Sequence, residues 1–71
     1  MATDICVRIG RRIRVLRTER GWTQVMLADH AGLTREHLSE LENGKKEIGA
    51  RTLERIAKAL ETKLTHFFEG I

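Results

Sequence analysis

Three features of the sequence predict an all-α fold. Apolar residues recur at helical spacing along most of the chain, beginning with Ile5, Ile9, Ile13 and Leu16. No segment alternates apolar with polar residues, and the 71 residues include neither tyrosine nor proline, so strand signals are weak. Glycines interrupt the apolar pattern at short intervals, as breaks between helices do. We therefore predict a five-helix bundle, with helices near residues 5–20, 24–31, 35–43, 50–60 and 64–68.

The starts of the second, third and fourth helices share one local pattern. Thr23 and Thr34 precede the second and third helices, where a hydroxyl can accept a hydrogen bond from a backbone N–H group. Gly49 is a weaker N-cap for the fourth. An apolar residue lies before each cap and another lies five positions later, as in a hydrophobic staple: Trp22 with Leu27, Leu33 with Leu38, and Ile48 with Leu53.

The connection between the second and third helices is only about three residues long, from Gly32 to Thr34. Such a short turn between two short helices is typical of a helix-turn-helix. Ala28 is small enough for the two backbones to approach, and the apolar residues of both helices can face one core. We place the motif at about residues 24–43, with an ordinary helical hairpin as the alternative.

Composition limits the classes of protein that fit. Thirteen Lys and Arg against ten Asp and Glu give a net charge of +3, which suits DNA binding but also many other functions. A single cysteine, Cys6, and three scattered histidines favour neither a disulfide nor a metal site, and we expect no cofactor. No apolar run approaches the ~18 residues of a membrane span, and Asp4 and Arg8 are atypical of a signal peptide. A cytoplasmic protein without a membrane partner is therefore expected.

Over residues 9–68 the sequence resembles the Cro/CI-type (Xre) helix-turn-helix domains of phage repressors and small bacterial regulators. The segments that carry the resemblance are IGRRIRVLR (9–17), GWTQ (21–24), LA (27–28), AGLT (31–34), LS (38–39), LENGK (41–45) and residues 53–60. It implies a five-helix, lambda-repressor-like domain at 9–68, with residues 1–8 as an N-terminal extension of the first helix. It also implies that the third helix enters the DNA major groove and that a homodimer binds a two-fold symmetric operator. Restriction-modification controllers and antitoxins are among the regulators of this kind.

Two departures from the family pattern affect the expected contacts. Ile48 and Gly49 stand where the family commonly has Pro and Ser, which makes contacts from the loop at residues 45–49 less secure. Val25 and Met26 stand where two polar residues are usual, and no role is assigned to them.

The third helix carries the side chains expected to read DNA. An arginine can donate two hydrogen bonds to guanine, and a glutamate can accept one from cytosine. For an Arg and a Glu on one helix, the alternative is an exposed ion pair worth only ~0.2–0.5 kcal/mol. The expected base contacts are Arg35, Glu36, His37 and Glu40. The expected DNA backbone contacts are Thr23, Gln24, Thr34, Ser39, Asn43, Lys45 and Lys46.

The resemblance further implies a structural ion pair between Arg17 and Glu42, which would tie the first helix to the third. Two independent solvated charges are the alternative.

The last predicted helix is crowded with apolar side chains. Leu64, Phe67 and Phe68 present more apolar surface than a small monomer readily hides, so we expect them at a homodimer interface. The alternative is that Phe67 packs on Ile56 and Leu60 within the monomer while Phe68 stays partly exposed.

Catalysis has no support in the sequence. There is no glycine-rich phosphate loop, no His-Glu-x-x-His and no nucleophile elbow around Ser39, so we expect no catalytic residues and no enzyme. We expect the chain to be a complete transcriptional regulator that binds double-stranded DNA, with RNA polymerase or a toxin as further partners. Residues 23–43 hold one Arg against four acids, a net charge of −3. This acidity leaves open a protein-interaction module that keeps the fold without DNA binding. A second alternative is an antitoxin that binds both a toxin and its own operator.

Overall fold

The computed structural model describes residues 4–69, which form four α-helices and one short 3-10 helix. The α-helices are α1 at Asp4–Glu19, α2 at Gln24–Ala31, α3 at Arg35–Glu42 and α4 at Ala50–Ala59, and the 3-10 helix is Leu64–Phe68. No strand occurs over residues 4–69. The all-α prediction is confirmed. Residues 1–3 of the predicted N-terminal extension lie outside the described residues.

The prediction of a fifth α-helix, a short one near residues 64–68, needs correction, because Leu64–Phe68 has 3-10 geometry. A five-residue segment is barely longer than one α-helical turn, and most of its backbone groups would lack an i to i−4 partner. Lys63 precedes the segment and provides no side-chain cap. A tight 3-10 turn with i to i+3 hydrogen bonds is the usual structure of so short a segment.

The predicted N-caps of α2 and α3 are confirmed. The Thr23 hydroxyl accepts from the backbone N–H of Met26 at 3.2 Å, and the Thr34 hydroxyl accepts from that of His37 at 3.0 Å. Between the two helices, Gly32 has a φ of 71°, a left-handed conformation that favours glycine. These local interactions fix the start of α3 relative to α2.

One hydrophobic core joins all five elements. α1 and α2 both pack against α3, α2 also packs against α4, and the 3-10 helix packs across α1 and α4. Full burial of one large apolar side chain typically contributes about 1.5–3 kcal/mol. The largest fully buried side chains are Ile13, Leu27, Leu38, Leu41, Ile56 and Phe67.

The assignment of Phe67 to a dimer interface was wrong. Its side chain is 0% exposed within the monomer, where it fills the end of the core covered by the 3-10 helix. A residue with no accessible surface cannot contact a second subunit. Leu64 and Phe68 are each 44% exposed and remain available.

α1 and α3 approach each other at a glycine. A Cβ atom at Gly10 would overlap the backbone carbonyl oxygen of Leu41, the penultimate residue of α3. The small residue therefore allows the two helix backbones to touch, and this contact sets how α3 lies on the rest of the domain.

Over the described residues, no helix has the length and apolar character needed to cross a membrane.

Candidate nucleic-acid interface

α3 buries one face and presents polar side chains on the other. Leu38 and Leu41 are fully buried, as the helical periodicity requires. The opposite side carries what we call the α3 stripe, made of Arg35, Glu36, Ser39, Glu40 and Asn43, all of them exposed or half-buried. His37, which is half-buried, lies at the edge of this stripe. All four expected base contacts and two of the seven expected backbone contacts are thus on or beside one exposed helix face.

A single buried carboxylate joins α1, α2 and α3. Glu42 is 4% exposed, and it accepts from Arg17 Nε at 2.7 Å and from Arg17 Nη2 at 3.1 Å. Gln24 Nε2 donates to the same carboxylate at 3.0 Å. Arg17 also donates to the backbone carbonyl of Trp22 at 2.8 Å. Arg17 and Glu42 therefore form a bidentate ion pair. Together with Gln24, these two residues form what we call the Glu42 cluster.

Gln24 also reaches the start of α3. Its Oε1 accepts from Arg35 Nη1 at 3.4 Å, a long hydrogen bond at the exposed end of the cluster. The amide of Gln24 is thus engaged at both ends, by Glu42 and by Arg35. A side chain held in this way can orient Arg35, and the first backbone N–H groups of α2 have no partner within the helix.

The two lysines that follow α3 differ in their surroundings. Lys46 Nζ lies 3.4 Å from Glu40 Oε1, and both side chains are largely exposed, at 59% and 42%. Such exposed pairs typically contribute ~0–1 kcal/mol, so a phosphate can readily replace the carboxylate. Lys45 is exposed and has no side-chain partner among residues 4–69.

The acidity of residues 23–43 is partly balanced by cations from outside the segment. Glu42 is buried against Arg17, and Glu40 is paired with Lys46. Asp29, near the C-terminal end of α2, and Glu36, in the first turn of α3, are the other two acids of this segment, and both are exposed. The net charge of −3 therefore overstates the negative charge that a DNA duplex would meet at α3.

Arg14 belongs to this surface, although the sequence alone did not single it out. Its Nη2 donates to Asn43 Oδ1 at 2.9 Å, and its Nε is 3.6 Å from Glu42 Oε1. Arg14 is one helical turn before Arg17 on α1, a spacing that was visible in the sequence. What the sequence could not show is that this face of α1 meets the C-terminal end of α3.

The described residues contain no group of three or more His, Cys, Asp or Glu side chains placed to hold a metal ion. The chemistry available on this surface is that of guanidinium, ammonium, amide and carboxylate groups presented by a rigid helix pair. Those groups are suited to hydrogen bonds with base edges and to charge-assisted contacts with phosphates.

Comparison with known proteins identifies the helix pair. Residues 13–67 match the HTH_3 family model, described as helix-turn-helix. The chain belongs to this Xre-type family. The expected resemblance is therefore confirmed over most of the chain, and the relatives are helix-turn-helix transcriptional regulators and restriction-modification controllers.

The relatives fall into two groups by length. The chain is 40% identical over 60 residues to the competence pilus inhibition repressor of Acinetobacter baylyi, covering 84% of this chain and 54% of that protein. It thus spans about half the length of this relative and of several rhizobial regulators. It is 33% identical to control protein C.MunI of a Mycoplasma species, covering 96% of this chain and 93% of that protein. The crystal structure of the restriction-modification controller C.AhdI of Aeromonas hydrophila superposes with a TM-score of 0.87 at 32% identity, covering 89% of this chain and 96% of that one.

Proposed function

We propose that this HTH_3 domain is a sequence-specific, double-stranded DNA-binding regulator of transcription. The observation that carries the proposal is the α3 stripe, a polar helix face whose helix is held from its buried side by Leu38 and Leu41 in the core and by the hydrogen bonds of Glu42. Binding sites built on helices that are fixed by packing and hydrogen bonds are more precise than sites on loops. Nothing on this surface supports a catalytic function.

The roles of the individual residues follow from where they lie. Arg35, Glu36, His37 and Glu40 are assigned to base edges in the major groove, and Ser39 to the backbone. Thr23, Thr34, Lys45 and Lys46 are assigned to phosphates, on either side of α3. The two threonine hydroxyls accept from backbone N–H groups, and each keeps its own O–H proton to donate to a phosphate. Gln24 contacts a phosphate through the start of α2 and braces Arg35 with its side chain.

A homodimer is the proposed binding unit. Leu64 and Phe68 are apolar side chains of the 3-10 helix, and each is 44% exposed. A two-fold dimer of helix-turn-helix domains places its recognition helices about one turn of DNA apart, ~34–36 Å. The operator should accordingly contain two inverted half-sites at that spacing.

The experiment that tests the proposal is selection of bound sequences from random duplexes, followed by footprinting of the selected site. A regulator yields an inverted repeat, and its affinity falls as salt concentration rises because bound phosphates release counterions. Failure to bind any duplex at low salt would exclude DNA binding. The surviving functions would then be those of a protein-interaction module or of an antitoxin that needs its toxin.

Two substitutions separate base readout from phosphate binding on the selected operator. Arg35→Ala should lower discrimination by about 1–3 kcal/mol at one symmetric position in each half-site. Lys45→Ala should keep the consensus and flatten the salt dependence, by about one unit of slope for each phosphate that the variant no longer binds. The measurement is competitive binding against all single-base operator variants at two salt concentrations. If Arg35→Ala weakened all variants equally, Arg35 would bind a phosphate instead of a base.

Among regulatory systems, restriction-modification control has a specific observation in its favour. The chain is 33% identical to the controller C.MunI, and the crystal structure of the controller C.AhdI superposes on it with a TM-score of 0.87. Neighbouring genes for a methyltransferase and a nuclease would support this assignment. A small toxin gene in the adjacent reading frame would favour the antitoxin instead.

A further inference from the structure

Arg14 is an excess cation at the C-terminal end of α3. The one negative charge of Glu42 is already matched by Arg17, which grips it with two hydrogen bonds. Arg14 Nε is more distant from the same carboxylate, at 3.6 Å, and the Arg14 side chain is 49% exposed. The two arginines and one glutamate therefore carry a net positive charge, and Arg14 is the most exposed of the three side chains.

The orientation of Arg14 is set by Asn43. Asn43 Oδ1 accepts from Arg14 Nη2 at 2.9 Å, and Asn43 Nδ2 donates to the Ser39 carbonyl at 2.9 Å. Both ends of the Asn43 amide are thus used within the protein. A guanidinium has five N–H donors, and the bond to Asn43 uses one of them, which leaves donors for an external anion.

The guanidinium of Arg14 lies at the C-terminal end of the α3 stripe, where it contacts Asn43. Asn43 is the last member of the stripe, and Lys45 follows two residues later with an exposed side chain. A duplex lying along α3 would bring its backbone to this end of the helix. Two cations, Arg14 and Lys45, would meet it there.

We propose that Arg14 binds a DNA phosphate at the C-terminal end of α3, and that Asn43 positions the Arg14 guanidinium instead of contacting DNA itself. The inference rests on the proposed DNA binding and changes the role expected for Asn43. It adds α1 to the elements that hold the duplex. An arginine fixed by a side-chain amide loses little further freedom when it binds a phosphate, which favours a geometrically defined contact.

The test is the salt dependence of binding to a short, fluorescein-labelled duplex of mixed sequence, followed by fluorescence anisotropy. Arg14→Gln should reduce the slope of log Kobs against log salt by about 0.9 for each protomer bound. Arg14→Lys keeps the charge and should retain the wild-type slope. Arg8→Gln is the matched control, because it removes the same charge from an exposed position of the same helix. Its slope should equal that of the wild type.

Asn43→Ala tests the positioning role. This variant should bind more weakly than the wild type, and the double variant with Arg14→Gln should bind no more weakly than Arg14→Gln alone. Additive losses would show that Asn43 makes its own contact and would overturn its assignment. Thermal unfolding of each variant, followed by circular dichroism, establishes that the compared proteins are folded.

The outcomes separate this inference from the function on which it rests. A wild-type protein that binds no duplex at low salt removes the proposed function and the inference together. A wild-type protein that binds with a steep salt dependence, shared unchanged by Arg14→Gln, removes the inference alone. Arg14 would then serve only to stabilise the C-terminal end of α3, where a cation is favourable in the free protein.

Discussion

Replacing Glu42 by Gln should destabilise the domain far more than the same replacement at Glu36. The Glu42 side chain is 0% exposed and receives three hydrogen bonds, two of them from Arg17. Removing one partner of a buried ion pair costs about 3–5 kcal/mol, because the other charge stays buried without compensation. The amide of Gln keeps one acceptor oxygen but turns an N–H donor toward the donors that surround it. A loss of about 2–4 kcal/mol is therefore expected.

This loss is large for so small a protein. A core of this size contributes roughly 3–5 kcal/mol of stability, so the variant should retain only a small part of it. At about 4–8 °C per kcal/mol, a loss of about 2–4 kcal/mol should lower the unfolding midpoint by roughly 8–32 °C. Glu36 is exposed in the first turn of α3, and its replacement removes only a favourable interaction with the helix N-terminus, worth about 0.3–1 kcal/mol.

The measurement is thermal unfolding of the wild type and both variants, followed by circular dichroism at one protomer concentration. Equal concentrations are needed because the stability of a dimer depends on concentration. Urea unfolding at a fixed temperature gives the free energies directly. If Glu42→Gln and Glu36→Gln had the same unfolding curve, the buried position of Glu42 and its three hydrogen bonds would add nothing to the stability of the domain. That result would refute the expected difference.

Further predictions concern the interface and the contact between helices. Sedimentation should show a dimer at micromolar concentration, and Phe68→Glu should convert it to a folded monomer; a wild type that sediments only as a monomer would contradict the proposed interface. Phe67→Ala should instead lower the free energy of unfolding by about 3–5 kcal/mol, since it leaves a cavity in the core. An unfolding midpoint equal to that of the wild type would mean that neighbouring side chains fill the cavity. Gly10→Ala should lower the unfolding midpoint, because its Cβ would overlap the Leu41 carbonyl oxygen. Gly49→Ala is the control, with φ at −68° and no heavy atom within 4 Å of the added Cβ; it should lower the midpoint less than Gly10→Ala does, because Ala is only a poorer N-cap than Gly.

The helices and the turn between α2 and α3 were predictable from the sequence because their signals are local. Thr23 and Thr34 cap the helices that follow them, through bonds that span three residues. Helical periodicity likewise identified the buried face of α3 at Leu38 and Leu41. The resemblance added that Arg17 and Glu42 meet, which no local signal indicates. The 3-10 geometry of the last element was missed, since apolar content does not distinguish a short 3-10 turn from a short α-helix.

The polar contacts of the candidate interface depend on how the helices cross. Arg14 and Asn43 are 29 residues apart, and Gln24 and Glu42 are 18 apart, so no local pattern pairs them. In the same way, two adjacent phenylalanines look alike in the sequence, yet only Phe67 reaches the core. Periodicity tells which side of a helix is apolar, because that depends on residues within one or two turns. Which polar side chains meet across the domain depends on helix orientation, and this is set by close packing of the whole core, including the contact that Gly10 allows.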